Sequence, residues 1–286
     1  MSHHRKTRHY PLLICGTSFA GIGAGVAIGK DAFLVERSSS VGHEFIGAIH
    51  PGVARDKLPN STFARELQEE MLDRNLLGED GTIHLPGVHP VLCKHIHDQA
   101  LHVQFMTEIL AVERLPQGGF EVEIFHSGGL ETIHVNEILD TTSTRLSTPQ
   151  NLYTSTDKKS LNAYLHHAEN DAHTPEPFHE EMSIVHGRFP TEIIVKLTLD
   201  AEIEWPEARK MLHDLWASRP KEWSSYTLAA VADQFEMKVP AGPFELEKGW
   251  NWLPSIGFEN PLEALDQGYM FLINKEELTH AAIQKG

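Results

Sequence analysis

Residues 10–36, which read YPLLICGTSFAGIGAGVAIGKDAFLVE, decide the fold of this chain. The stretch opens with a short apolar run, residues 10–15, of the kind that forms a strand buried on both faces. Glycines follow at positions 16 and 21, and residues 22–30 are small enough to form a helix that packs closely on a sheet. A second apolar run, residues 32–35, ends in the acid Glu36. The stretch therefore predicts a strand, a glycine turn, a helix, a second strand and an acid, in that order.

That order is typical of a parallel βαβ unit that binds a dinucleotide. Gly16 suits the tight turn, Ser18 is a small middle residue, and Gly21 falls where helix and strand meet. The helix start would offer free N–H groups and a partial positive charge to a pyrophosphate. Glu36 follows Gly16 by 20 residues, the spacing of a carboxylate that accepts hydrogen bonds from a ribose diol. The predicted phosphate-binding residues are Gly16, Ser18, Phe19, Ala20 and Gly21.

Two other interpretations fit this stretch less well than the βαβ unit does. The uncharged run 12–29 follows the basic cluster Arg5, Lys6 and Arg8, as in a signal peptide or a membrane span, but its five glycines lower its hydrophobicity. The G-x-S-x-G elbow of hydrolases fails because its fifth position is Ala20. We therefore expect a soluble fold element, no membrane association and a cytoplasmic protein.

Charge and composition exclude several classes of protein. The 286 residues include 24 Lys and Arg against 40 Asp and Glu, a formal net charge of −16, and 41% of them are hydrophobic. Such an acidic globular chain repels phosphate backbones, so we expect no nucleic-acid partner. Cys15 and Cys93 form no C-x-x-C pair, which argues against a disulfide framework. His95 and His97 would point about 200° apart on a helix, so no metal site is predicted.

The residues after the second strand resemble those of FAD-dependent oxidoreductases of the glutathione-reductase-like superfamily. The resemblance begins at Val35-Glu36-Arg37 and continues through residues 41–45, which read VGHEF. It implies that Glu36 and its basic neighbour Arg37 lie at the adenosine ribose. It also implies that the loop holding His43 and Glu44 runs toward the flavin.

Two further segments carry the same resemblance. Residues 101–113 resemble the strand that passes the adenine, which implies nucleotide contacts at Glu108 and Ile109. Residues 138–143, which read ILDTTS, resemble the strand end Ile-x-Asp-Ala-Thr-Gly and imply contacts at Thr141 and Thr142. Thr141 and Ser143 replace the Ala and Gly of that pattern.

A late segment, residues 252–268, resembles the turn and helix that face the isoalloxazine and ribityl chain. Independently of the family, Asn260 is a good helix N-cap and Pro261 a good first helical residue. The Gly-Asp pair that binds the ribityl chain in the superfamily is absent from this segment. The resemblance implies FAD as the cofactor, with late contacts at Gly257, Phe258, Asn260, Pro261 and Leu262.

Periodicity organises the rest of the chain. It predicts helices over residues 60–77, 90–100, 157–168 and 206–217, an antiparallel meander over 112–134, and strands over 192–200 and 233–239. We predict an α/β fold: a Rossmann-like parallel sheet forms an FAD-binding domain from residues 9–150 and 245–286, and the meander belongs to it. Residues 151–244 form an inserted small α+β lobe that carries substrate or an interface.

The resemblance implies hydride transfer from a small organic substrate to FAD. His50 and His43 lie in the segment expected to approach the flavin, so either could act as the base or carry a covalent flavin link. Cys93 has no pairing cysteine, which removes the branch of the superfamily that uses a dithiol.

Alternatives remain at this stage. The absent Gly-Asp pair and the short lobe are also consistent with a non-catalytic FAD- or nucleotide-binding subunit or scaffold that needs a partner chain. A third possibility is an NAD(P)-dependent dehydrogenase, in which Glu36 would favour NAD. A homo-oligomer and a hetero-oligomer both stay open.

Overall fold

The computed structural model describes residues 7–52, 58–153, 157–168 and 174–283, with side chains up to residue 275. Arg5 and Lys6 of the basic cluster lie outside these ranges. Within them, no helix is both long and apolar enough to cross a membrane. The first elements are β1 (Arg8–Cys15), α1 (Phe19–Ile28), β2 (Ala32–Val35), α2 (His43–Ile46), α3 (Thr62–Asp73), α4 (Leu85–Asp98), β3 (His102–Gln104), β4 (Glu108–Arg114), β5 (Phe120–His126) and β6 (Gly129–Asp140). The chain continues with β7 (Lys158–His167), β8 (Met182–His186), β9 (Glu192–Asp200), α5 (Trp205–Ala217), β10 (Tyr226–Val231), β11 (Glu236–Met237), β12 (Phe244–Glu247), β13 (Trp250–Trp252) and α6 (Pro261–Ile283).

β1 lies at the centre of the larger sheet. It pairs in parallel with β2 on one side and with β6 on the other, and the parallel pairing extends to β3 and β13. The last four residues of β1 are buried, as the apolar run predicts for a strand covered on both faces. Because parallel strands end at the same edge, the residues after β1, β2 and β6 meet there. This edge carries Gly16, Glu36 and Thr141.

Helix α1 packs against the C-terminal helix α6 at very short range. A Cβ atom built on Gly23 would lie 2.0 Å from the Leu265 carbonyl oxygen, and one on Gly268 would lie 2.0 Å from the Ala20 carbonyl oxygen. Only glycine permits this backbone contact at either position. The two helices therefore fix the beginning of α6 beside the beginning of α1.

The predicted antiparallel meander is confirmed. β4 pairs with β5, β5 pairs with β6, and β6 then joins the parallel sheet beside β1. The meander buries alternate residues, including Phe120, Val122 and Ile124, against the underside of the sheet.

A second, antiparallel sheet forms a separate layer. Its strands lie in the order β10, β7, β9 and β8, with β11 also pairing with β7. One face of β7 packs under α5 through Leu161 and Leu165, which belong to the same buried cluster as Leu212 of that helix. On the other face, Asn162 and Tyr164 point toward the first layer, because alternate residues of a strand face opposite ways.

The predicted helix over residues 157–168 is wrong. Residues 158–167 form strand β7, which is hydrogen-bonded to β9 and β10 on its two edges. The spacing of Leu161 and Leu165 suits both a helix and a strand, and pairing with strands distant in sequence determines the outcome. β10 was not predicted, and the strand predicted over 233–239 is reduced to the two residues of β11.

The other helix predictions hold with shifted ends. α3 begins after Ser61, whose hydroxyl accepts from the Ala64 N–H at 3.2 Å, and it ends four residues before Leu77. α4 begins at Leu85, so Pro90 lies inside the helix instead of at its start. α5 and strand β9 match their predictions within one residue.

Candidate functional site

The glycine loop lies at the carboxyl end of β1 and turns directly into α1. Gly16 has a φ of +95°, which a residue with a side chain rarely adopts, and its N–H donates to the Val35 carbonyl at 2.8 Å. Ser18 is the N-cap of α1: its hydroxyl oxygen accepts from the Gly21 N–H at 3.1 Å. The same hydroxyl donates to the Thr141 Oγ1 at 2.8 Å. The loop is thus tied to the end of β6.

The first turn of α1 leaves N–H groups for an anion. The N–H of Ala20 donates to the Ser255 hydroxyl at 3.2 Å, and that of Ile22 donates to the Ser18 carbonyl at 2.8 Å. Among the described residues, no hydrogen bond uses the N–H of Ser18 or of Phe19. A helix start with unengaged N–H groups is a ready anion site.

Glu36 is buried at the end of β2, with 6% of its surface exposed. Its carboxylate accepts from the Thr17 N–H at 2.8 Å, the Thr17 hydroxyl at 3.0 Å and the Ser38 N–H at 2.8 Å. These bonds fix the carboxylate against the glycine loop. A carboxylate has about four lone-pair positions, so one remains for a ribose hydroxyl.

Arg37 and Glu108 form an exposed ion pair next to this carboxylate, with 2.7 Å between Nε and Oε1. The Thr107 N–H donates to the Glu36 carbonyl at 2.9 Å, so the start of β4 lies beside the end of β2. Ile109 is buried in the core of the first layer. The adenine-side residues predicted from the sequence therefore lie close together in space.

A cavity of about 400 Å³ opens over this edge of the sheet. That volume is in the range of small-molecule sites. Seven predicted site residues line it: Gly16, Ser18, Glu36, Arg37, His43, Glu44 and Thr142. Five lining residues were not predicted as site residues: Ser38, Ser143, Thr144, Leu146 and Gln234.

Glu44 is the chemically unusual residue of this cavity. It is buried, and the N–H and hydroxyl of Ser143 both donate to it at 3.2 Å. Burial raises the pKa of Glu44 to about 8, and the neighbouring carboxylates Glu36 and Asp140 act in the same direction. At neutral pH the side chain therefore mostly keeps its proton.

Asp140 supports the cavity from below. It is fully buried at the end of β6 and accepts from the N–H and hydroxyl of Thr142 at 2.9 and 2.6 Å and from the Ser147 N–H at 2.7 Å. Burial raises the pKa of Asp140 above its ordinary value, although these hydrogen bonds favour the ionised form. The aspartate thus holds the loop after β6 in place, and Ser143 of that loop contacts Glu44.

The late segment is positioned as predicted for a helix start. The Asn260 Oδ1 accepts from the Glu263 N–H at 2.9 Å, and α6 begins at Pro261. Ser255 joins the segment to the first turn of α1 through its bond from Ala20. The other predicted site residues form the surrounding structure and do not line the cavity: Phe19, Ala20, Gly21, Glu108, Ile109, Thr141, Gly257, Phe258, Asn260, Pro261 and Leu262.

The two candidate histidines have different surroundings. His43 lines the nucleotide-side cavity and also a second cavity of about 220 Å³. Its Nδ1 is buried without a hydrogen-bond partner among the described residues, and its Nε2 lies 3.9 Å from the Asp233 Oδ1. His50 lines neither cavity. Its ring stacks on Phe45, with 5.4 Å between the centroids.

His50 belongs to a polar cluster between the two layers. Its Nδ1 lies 3.2 Å from the Glu236 Oε2, the Lys196 Nζ lies 2.6 Å from the Glu236 Oε1, and the Asn162 amide donates to Glu236 at 2.6 Å. Burial alone would raise the pKa of Glu236, but His50 and Lys196 hold it at about 2. This cluster was missed because its four members come from four separate segments.

Comparison with known proteins adds evidence about the fold. No protein-family model matches the sequence, and no curated protein matches it. Among solved structures, p-nitrophenol 4-monooxygenase from Pseudomonas putida DLL-E4 shares 12% identity, with a TM-score of 0.59 over 98% of this chain and 81% of its own. Glycine oxidase from Geobacillus kaustophilus shares 13% identity, with a TM-score of 0.61 over 92% of this chain and 93% of its own.

A third structure was solved with cofactor. Aklavinone-11 hydroxylase, in a ternary complex with FAD and aklavinone, shares 12% identity, with a TM-score of 0.55 over 94% of this chain and 62% of its own. These identities carry evidence about fold alone. Membership of the glutathione-reductase-like superfamily stays a prediction. The chain has the mixed α/β fold of these enzymes, with its parallel sheet and separate antiparallel sheet.

Proposed function

We propose that this chain binds FAD and acts as an FAD-dependent oxidoreductase that takes a hydride from a small organic donor. One observation carries the proposal. The 400 Å³ cavity lies at the shared carboxyl edge of β1, β2 and β6, and both the buried Glu36 carboxylate and Ser18 at the start of α1 line it. The chain also has the fold of an enzyme solved with FAD.

The cavity suits the adenosine and pyrophosphate half of FAD. Glu36 would accept from the ribose diol, and the N–H of Ser18 at the start of α1 would donate to the pyrophosphate. Three carboxyl groups around an anion would repel it if all were ionised. Glu44 avoids this because, as a neutral acid, it can donate a hydrogen bond to a phosphate oxygen.

Bound FAD supplies a two-electron acceptor. The chain supplies proton transfer, and we assign that role to His43, which lines both cavities. Its Nε2 lies 3.9 Å from the Asp233 Oδ1, so this carboxylate would orient the ring. The donor would lose a hydride from carbon and a proton to His43. His50 is the second candidate base, oriented by Glu236.

A second candidate function is a nucleotide-binding subunit that performs no redox chemistry. It is favoured by the late segment, because none of Gly257, Phe258, Asn260, Pro261 and Leu262 lines either cavity. In this case the chain would bind ADP or ATP as well as it binds FAD, and would co-elute with an obligate partner chain after co-expression.

The test is the visible spectrum of the purified protein before and after reconstitution with FAD. We expect flavin absorbance at about 450 nm, and we expect the protein to retain it through gel filtration because the FAD stays bound. Glu36→Gln should weaken FAD binding about tenfold, because a charged acceptor to the ribose is lost. Glu121→Gln is the matched control, since Glu121 is 45% exposed on the meander and pairs with His134.

Two results would refute the redox proposal. The first is a protein that takes up no FAD, and the second is equal FAD affinity in wild type and Glu36→Gln. Tight NAD binding without FAD would favour the dehydrogenase alternative.

A further inference from the structure

Three buried carboxyl groups lie at the carboxyl edge of the parallel sheet, and they differ in how well their charge is compensated. Glu36 and Asp140 each accept three short hydrogen bonds, with distances of 2.6 to 3.0 Å. Among the described residues, Glu44 accepts only from Ser143, and these distances are all 3.2 Å. When carboxyl groups share a buried site, the least well compensated one holds a proton. The hydrogen bonds therefore assign the proton to Glu44.

No cation of the described chain offsets a negative charge on Glu44. Its electrostatic neighbours are the two carboxyl groups at the ends of β2 and β6, and both disfavour its ionised form. Arg37 is the only Lys or Arg among the described residues that line the cavity, and it pairs with Glu108 at 2.7 Å. The remaining titratable side chain in the cavity wall is His43, on the same helix. Ionised Glu44 would therefore place an uncompensated charge where the low dielectric makes charges interact strongly.

A diphosphate in this cavity would respond to that charge. Ser18, at the start of α1, lines the same cavity as Glu44 and offers its N–H to an anion. While Glu44 is neutral, its O–H is a second donor in the cavity. Once Glu44 is ionised, the donor is replaced by an acceptor that carries a negative charge, and the diphosphate is repelled.

We propose that Glu44 is a proton gate: the cavity holds a diphosphate only while Glu44 is a neutral acid, so that binding in alkaline solution takes up one proton from the solvent. This gate rests on the proposed function, because the diphosphate is that of FAD. The direction of the effect follows from the Glu44 pKa of about 8. Below pH 8 the proton is already present before the ligand binds. Above pH 8 it must be supplied, so the affinity should fall about tenfold for each further pH unit.

FAD and ADP are the probes, and their binding to the purified full chain is measured by calorimetry at pH 7.5, 8.5 and 9.5. The phosphates of both probes keep one charge state over this range, because the last phosphate ionisation lies near about pH 6. We expect the Kd of each probe to rise about 25-fold from pH 7.5 to pH 9.5. Titrations in buffers with different heats of ionisation should show an uptake of about one proton per ligand at pH 9.5.

Three variants locate the proton that is taken up. Glu44→Gln can donate from its amide at every pH, so its Kd should change less than about twofold over the range, without proton uptake. Glu36→Gln removes the acceptor for the ribose but leaves the gate, so it should bind FAD more weakly and still lose affinity as the pH rises. Glu121→Gln is the matched control, because its side chain is 45% exposed on the meander, and it should behave as the wild type does.

Two results would overturn the gate: a wild-type Kd for FAD that is the same at pH 7.5 and pH 9.5, or an equal loss of affinity in Glu44→Gln. In either case, FAD binding at pH 7.5 would leave the proposed function standing. ADP binding with the expected proton uptake, but without FAD binding, would support the gate and contradict the redox function. Binding of neither probe would overturn both.

Discussion

Glu44→Gln removes a carboxylic acid proton that the fold holds near neutral pH. The substitution keeps the size of the side chain and an oxygen that can accept from Ser143. Burial raises the pKa of Glu44 from 4.5 to about 8. Because a tenfold change in an equilibrium constant is about 1.4 kcal/mol, this displacement corresponds to about 5 kcal/mol of free energy of unfolding.

The sign of the effect follows from which state holds the proton. Below about pH 4.5, the folded and unfolded chains both hold it. Between there and pH 8 the unfolded chain releases the proton while the folded chain keeps it, so the free energy of unfolding of the wild type falls as the pH rises. Glu44→Gln has no proton to release. We expect its stability relative to wild type to rise by about 4 kcal/mol from pH 5 to pH 9.

The assay is urea unfolding of both proteins at pH 5, 7 and 9, with the same FAD concentration in every sample because bound ligand adds to stability. Glu121→Gln is the control, and its difference from wild type should change by less than about 1 kcal/mol across this range, since the Glu121 side chain is 45% exposed. If the difference in free energy of unfolding between Glu44→Gln and wild type did not change with pH, Glu44 would be ionised in the folded protein. That result would refute the neutral-acid reasoning.

Three further predictions concern the framework of the site. Gly268→Ala should lower the free energy of unfolding by about 2 kcal/mol or more, because its Cβ would lie 2.0 Å from the Ala20 carbonyl oxygen; an unchanged Tm would contradict the close packing of α1 on α6. Asn260→Ala should lower the free energy of unfolding in urea by about 1 kcal/mol, because the N-cap of α6 is lost. Asn260→Asp should keep most of the stabilisation that this cap provides. Lys196→Met should cost about 2–3 kcal/mol, because it leaves Glu236 without its ammonium partner. Adding Glu236→Gln should recover part of that loss in a double-mutant cycle, and strictly additive losses would argue against the pair.

The glycine loop and its acid could be predicted because their signals are local. Gly16, Ser18 and Glu36 lie within 21 consecutive residues, and each is required by the turn, the helix start or the strand end that contains it. The same holds for Asn260, whose capping role depends only on the residues that follow it. Such positions can be predicted without knowing which distant residues contact them.

Strand β7 could not be predicted in the same way. Leu161 and Leu165 are four residues apart, which suits one face of a helix as well as one face of a strand. The chain becomes a strand because β9 and β10 pair with its two edges, and those strands lie about 30 and 60 residues further along. Local propensity does not contain that information.

In the candidate site, too, local sequence predicts some features, and others are visible only in the fold. Sequence reasoning placed His43 and His50 in one segment, but only the three-dimensional arrangement shows that His43 lines two cavities and that His50 belongs to a cluster with Glu236. Ser143 and Gln234 line the nucleotide-side cavity from segments far apart in the chain, without a motif that marks either. Residues that converge from different elements are visible only once the fold is known.

The most direct test of the proposed cofactor site compares FAD with FMN in equilibrium binding to the purified protein. Glu36 and the start of α1 would contact the adenosine and pyrophosphate half of FAD, most of which FMN lacks, so FAD should bind at least about a hundredfold more tightly than FMN. ADP should compete with FAD for the site. Equal binding of FMN and FAD, or no binding of FAD, would contradict the claim that Glu36 and the start of α1 hold this cofactor.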